Sequence, residues 1–278
     1  MEEVFLIRFH EVILLIYFIC TLSLVLDLFQ KNYRLQSFGF YTLGIVWVCQ
    51  TISLTIFVIW RGYLPLTSIV ESMSVLTWLI LTVSFMLTSM KQSDFMIVLL
   101  NIIGFIFMAI HTFHPYQFKL DVSRITAINE LLVIHISLAL LSYVVFAIAF
   151  VNAIIYIMQF QNLKRKRFTQ HFFRISSLAN IEHIVFLSSI IGNILLFVSL
   201  ILGVQWGLVT IGLHIFRDLK VILSVAIFLC YTVYIALKLM KRLKPIVLIY
   251  FNMILFLSCM MNLIVITQVS SFHQWTGV

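Results

Sequence analysis

The chain has 278 residues, 63% of them hydrophobic and 10% charged, and a formal net charge of +8. A mean hydropathy of +1.13 with only three prolines excludes a soluble domain and leaves a polytopic membrane protein. The positive balance needs no nucleic acid, because anionic lipid is the ordinary partner of basic loops at a membrane surface.

Eight apolar segments follow one another, over about residues 4–29, 37–60, 70–90, 94–111, 129–160, 182–207, 220–240 and 245–268. Each is long enough to cross a hydrocarbon layer of about 30 Å at about 1.5 Å per residue, although the fourth is near the lower limit. Helix is the required form: lipid leaves open backbone groups unsatisfied, and the segments are too long and too uniformly apolar for barrel strands. The expected fold is all-α, a single integral membrane domain over residues 1–278. Helices 1–4 fall in 1–127 and helices 5–8 in 128–278.

The first segment follows Met1-Glu2-Glu3, without a basic n-region or a small-residue cleavage pattern, so it reads as a retained helix and not a signal peptide. On it Arg8 and Glu11 are three apart, and Asp27 and Lys31 four apart, spacings at which opposite charges pair and lower the cost of partial burial. The fourth segment ends on His111 and His114, an H-x-x-H pair that fits one helical face but has no third ligand nearby, so no zinc site is expected. The connections over about 112–128 and 161–181 have room for a short surface helix and not for a core. Cys20, Cys49, Cys230 and Cys259 are scattered over helices 1, 2, 7 and 8 without a C-x-x-C pair, which indicates neither a disulfide framework nor a thiol redox site. Paired carboxylates, a nucleophile with a base, and a metal triad are all missing from the sequence pattern, so no catalytic residue is assigned and an enzyme is disfavoured.

Orientation follows from the basic residues. The connections after helices 1, 3, 5 and 7 carry Lys31 and Arg34; Lys91; Lys164, Arg165, Lys166, Arg167 and Arg174; and Lys238, Lys241, Arg242 and Lys244, twelve in all. The opposite side carries Arg8, Arg61, Lys119, Arg124, Arg217 and Lys220, six in all. The positive-inside rule then puts both termini outside and the basic connections in the cytoplasm. With that orientation His10, His111, His114, His135, His214 and His273 lie at or near the outer face, and His171 and His183 at the inner one. Neutral imidazole is a good ligand for haem iron, and two from different helices hold the iron from both axial directions.

Ile134-His135-Ile136-Ser137 through Tyr143, Phe146 and Tyr156 is similar to the helix opening with a histidine in the cytochrome c assembly family of haem-handling membrane proteins. Leu64-Pro65, then Glu71-Ser72 and Trp78, resembles its proline and Glu-Ser signature, and Asn262 with Ser271-Phe272-His273 resembles its final helix and external histidine. Between the two histidines, haem-exporting members have a tryptophan-rich W-x-W-D loop. Here the stretch from Gly203 to Lys220 keeps one tryptophan, Trp206, with Asp218 and Lys220. This reduced form, with the run Gln205 to Thr210, is most similar to the HemX branch.

The resemblance implies a protein of the bacterial cell membrane that binds haem b non-covalently. Its implied axial ligands are His135 and His273, with Trp206 and Phe216 covering the porphyrin, Arg217, Lys220 or Arg124 pairing with the propionates, and Asp218 in the same stretch. A plainer reading makes Trp206 an interfacial anchor, Asp218 a helix cap among solvated charges, and Gly203 and Gly207 a close-packing G-x-x-x-G. The implied function is to lower the abundance of glutamyl-tRNA reductase, the first committed enzyme of haem synthesis, through the cytoplasmic residues Lys164, Arg165, Lys166 and Arg167. The alternative is haem delivery in cytochrome c assembly. Glu182 and His183 open helix 6 from the cytoplasmic side, where a single histidine leaves an inner bis-histidine site incomplete.

Overall fold

The computed structural model describes residues 2–30, 33–66, 68–89, 94–114, 130–166 and 176–266. Their long helices are α1 Glu2–Gln30, α2 Tyr33–Arg61, α3 Ile69–Ser89, α4 Asp94–Phe113, α5 Glu130–Lys164, α6 Leu178–Ile211, α7 Leu219–Leu239 and α8 Pro245–Met261. A 3-10 turn, Gly212–Arg217, joins α6 to α7, and a π turn, Asn262–Ile266, continues α8. Among the described residues eight helices are long and apolar enough to cross a membrane, so the protein is an all-helical multi-pass membrane protein in a lipid bilayer.

The chain divides into two compact units, Met1–Ala127 and Ile128–Val278. In the first, α1 packs on α2 and α4, and α3 on α4 and α2, so the four helices close a ring. Ile13, Tyr17 and Cys20 of α1 fill its middle with Leu43, Val46, Leu81 and Met108. Some of the polar residues inside this apolar packing are paired between helices, where no water competes. Tyr17 Oη donates to Asn101 Oδ1 at 3.0 Å, and Gln50 Nε2 to Ser74 Oγ at 2.7 Å. Ser68 and Glu71 form a capping box at the start of α3: the Glu71 amide donates to Ser68 Oγ and the Ser68 amide to Glu71 Oε2.

In the second unit α5 and α6 form the principal pair, α8 packs against α5, α6 and α7, and α7 lies against α6. The 35 residues of α5 measure about 52 Å at about 1.5 Å each, more than a hydrocarbon layer. Its long buried stripe includes Tyr143, Phe146 and Tyr156. Phe146 stacks on Tyr231 of α7, ring centroids 4.0 Å apart, with Gly192 of α6 beneath it. Asparagines tie the helices together: Asn193 donates to Thr232, Asn252 to Ser189 and Asn262 to Ser224. Pro245 sits at the first position of α8, where its missing N–H costs nothing.

Candidate functional site

His135 stands one and a half turns into α5 and is half-buried against α6. Its Nδ1–H donates to the Ser199 carbonyl oxygen at 2.6 Å, and Ser199 Oγ lies 3.0 Å from the same nitrogen. The Ser199 hydroxyl donates back to the His135 carbonyl at 2.9 Å. Gly203, one turn on from Ser199, makes the space for the ring. A Cβ built there would stand 2.5 Å from His135 Cε1, 2.8 Å from Nδ1 and 3.1 Å from Nε2.

Gly207 performs the same service for another residue. Its missing Cβ admits Ile215, whose Cδ1 and Cγ1 would lie 2.5 and 2.6 Å from a built Cβ, so the 3-10 turn folds back onto α6. The two glycines expected to bring helices together thus admit an imidazole and an isoleucine side chain. The stretch expected as a loop from Trp206 to Lys220 is helical almost throughout, because α6 runs to Ile211, past the expected end near 207. The apolar run up to Ile211 sustains the helix, and the chain leaves it only at Gly212, whose φ of +63° suits a residue without a Cβ.

On this turn the sequence-derived candidates separate. Trp206 lies half-buried near the end of α6, and Phe216 and Arg217 are exposed on the 3-10 turn. Asp218 is buried and caps α7, its Oδ1 accepting from the Lys220 and Val221 amides at 3.0 and 3.3 Å. Lys220 follows in the first turn of α7. His273, Arg124 and Arg167 lie outside the described residues. At the basic end of α5, Lys164, Arg165 and Lys166 are exposed. Glu182 of α6 forms an ion pair with Lys238 of α7, a partner not anticipated from sequence. Arg8 and Glu11 pair at 2.7 Å as their spacing requires, whereas Lys31, the expected partner of Asp27, is outside the described residues.

The first unit holds a cluster that sequence reasoning missed. The rings of His10 and His111 lie 4.7 Å apart between centroids. His10 Nδ1–H donates to the Leu6 carbonyl at 2.8 Å, Ser53 Oγ lies 3.1 Å from His10 Nε2, and His111 Nδ1–H donates to the Val70 carbonyl at 2.8 Å. Together with Ser53, Pro65, Glu71 and Ser74 the two rings line a cavity with the room of about one water molecule. His111 therefore partners His10, and His114 stands just past the end of α4, where burial lowers its imidazole below the ordinary value. Among the described residues no group of three or more His, Cys, Asp or Glu is placed to hold a metal ion. The Ser68-x-x-Glu71 capping box was readable locally, but nothing in the sequence joins His10 to His111.

The family model described as cytochrome C assembly protein matches residues 66–273. Protein HemX of Bacillus subtilis (strain 168) is 33% identical over 269 residues, covering 97% of this chain and 98% of that protein. Protein HemX of Brevibacillus brevis is 28% identical over 249 residues, covering 90% and 91%. A family match over most of the chain and a relative aligned nearly end to end give one answer: the chain belongs to the cytochrome C assembly protein family, as a HemX-type member.

Proposed function

We propose that this protein is a haem-binding regulator of haem biosynthesis in the bacterial cell membrane, with both termini outside. His135 and His273 would hold the iron of a non-covalent haem b, Trp206 and Phe216 would cover the porphyrin, and Arg217, Lys220 or Arg124 would meet the propionates. When bound, haem supplies an iron centre that two imidazoles ligate. The observation carrying this reading is the pose of His135, a half-buried imidazole anchored through one ring nitrogen. Ile215, seated on Gly207, keeps the turn bearing Phe216 and Arg217 close to Gly203, about 6 Å along α6.

The regulatory part rests on the HemX likeness along 97% of the chain and on the exposed Lys164, Arg165 and Lys166, continued in sequence by Arg167. Such a basic cluster attracts an acidic protein surface, and the partner in this reading is glutamyl-tRNA reductase, whose abundance falls. The second reading is haem delivery in cytochrome c assembly, favoured by the family match over residues 66–273.

Two measurements test the proposal. Detergent-purified protein given haemin should show a low-spin bis-histidine spectrum that His135→Ala or His273→Ala abolishes and His111→Ala spares. A wild-type protein that takes up no haem removes the cofactor from the proposal. In cells, deleting the protein should raise the reductase, and charge reversal at Lys164, Arg165, Lys166 and Arg167 should reproduce that rise, with membrane insertion checked alongside. Normal reductase levels together with loss of covalent haem from c-type cytochromes would install the delivery reading instead.

A further inference from the structure

We propose that the Ser199 carbonyl and the vacant side-chain space of Gly203 set the tautomer and pose of His135 in the haem-free protein, making Nε2 its lone-pair nitrogen. The chemistry is one of donors and acceptors. A carbonyl oxygen only accepts, so its 2.6 Å bond with Nδ1 requires the proton on that nitrogen. The Ser199 hydroxyl is consistent with this assignment, because it spends its own proton on the His135 carbonyl at 2.9 Å and presents a lone pair to Nδ1 at 3.0 Å. A neutral imidazole with Nδ1 protonated has its lone pair on Nε2, the form that binds a metal centre, and an outer partner on the other nitrogen fixes the ring's orientation. Gly203 is the steric half of the device. Any larger residue brings a Cβ into the ring, with the shortest approach at Cε1, between the two nitrogens. Ser199 and Gly203 are therefore positioning residues.

The consequence for haem rests on the reading of His135 as an axial ligand, but the tautomer does not, so the two fail separately. The experiment is nitrogen-15 NMR of the full-length, haem-free protein labelled at histidine, in detergent at about pH 8, where an ordinary imidazole is neutral. His135→Gln assigns the signals. The wild type should show a protonated Nδ1 and a pyridine-type Nε2 at His135. The opposite tautomer would overturn the proposal without recourse to any variant. Gly203→Ala, which favours the helix as such, should remove the Nδ1–H pattern. Gly207→Ala creates a clash of the same size on the same helix, against Ile215, and should leave the His135 signals in place. Equal loss in both variants would mean general loosening of α6, and an unchanged pattern in a folded Gly203→Ala protein would mean that the glycine has no part; either result ends the claim for Gly203. Haemin titration then reads the consequence: Gly203→Ala should bind about 10-fold more weakly than wild type, the scale of a lost outer partner. A wild type with the expected tautomer but no haem uptake would leave the positioning standing and remove the proposed function.

Discussion

Asp218 illustrates what a single carboxylate does at the start of a membrane helix. The first amides of α7 have no partners within the helix, and Asp218 accepts from two of them while its charge complements the helix dipole. Asp218→Ala should destabilise the protein by about 1 kcal/mol, whereas Asp218→Asn, an equally good cap, should stay within a few tenths of wild type. Thermal unfolding in detergent measures both. A loss as large for asparagine as for alanine would mean that the negative charge, and not the cap, holds the position. Gly192 answers to a different constraint. A Cβ there would meet the ring of Phe146 at 2.6 Å, and that ring is already stacked on Tyr231. Small size at Gly192 and Gly203 is thus required by a neighbour's ring in each case.

Two helices of the first unit are joined by a reciprocal polar clasp. Trp47 Nε1 on α2 donates to Thr82 on α3 at 2.9 Å, and Trp78 Nε1 on α3 donates to Thr51 on α2 at 2.9 Å. Each threonine in turn donates to the carbonyl of the tryptophan one turn earlier on its own helix. The pattern W-x-x-x-T stands in both segments, so this clasp had a signal in the sequence. Thr51→Val and Thr82→Val should each cost about 1–2 kcal/mol by stranding an indole N–H. Because the four residues share one network, the double variant should lose less than the sum by about 0.5 kcal/mol or more. Strict additivity in a double-variant cycle would show two independent bonds. At the other helix ends, Lys166 and Lys241 close α5 and α7 with φ of +52° each, a left-handed conformation that usually belongs to glycine. The Lys241 and Arg242 amides cap the carbonyls of Lys238 and Leu237, so the basic residues both end the helix and suit its dipole.

At the scale of the whole molecule the distribution of charge sets the insertion. Twelve of eighteen basic residues fall at the connections after odd-numbered helices. A tag after Val278 should therefore be reached by a membrane-impermeant reagent in intact cells, and a tag beside Lys166 should be protected. Protection of the first and labelling of the second would invert the protein and move His135 to the cytoplasmic face. The same inversion would carry Lys164, Arg165 and Lys166 away from any cytosolic partner, so topology and the regulatory proposal are tested together.

The eight membrane helices and their approximate places were legible in the sequence because hydropathy is a sum along the chain, although α6 runs past both of its expected ends. The expected segment 37–60 lies within Tyr33–Arg61 and 245–268 begins with Pro245, since hydropathy over some 20 residues decides whether a helix enters lipid. The family was legible as well, from His135, the Glu71-Ser72 signature and the reduced stretch ending in Lys220, and the comparisons bear it out. Capping was half-legible: Asp218 was read as a cap, and Ser68 was passed over although its partner Glu71 stands three residues on. Tertiary structure alone decided that His135 meets Ser199 64 residues away, that its ring fills the space at Gly203, and that His10 faces His111. Which residues meet depends on how each helix is rotated about its axis. In a soluble protein an apolar stripe reveals that rotation, but here the lipid-facing and protein-facing sides are both apolar, and the sequence carries little record of which is which.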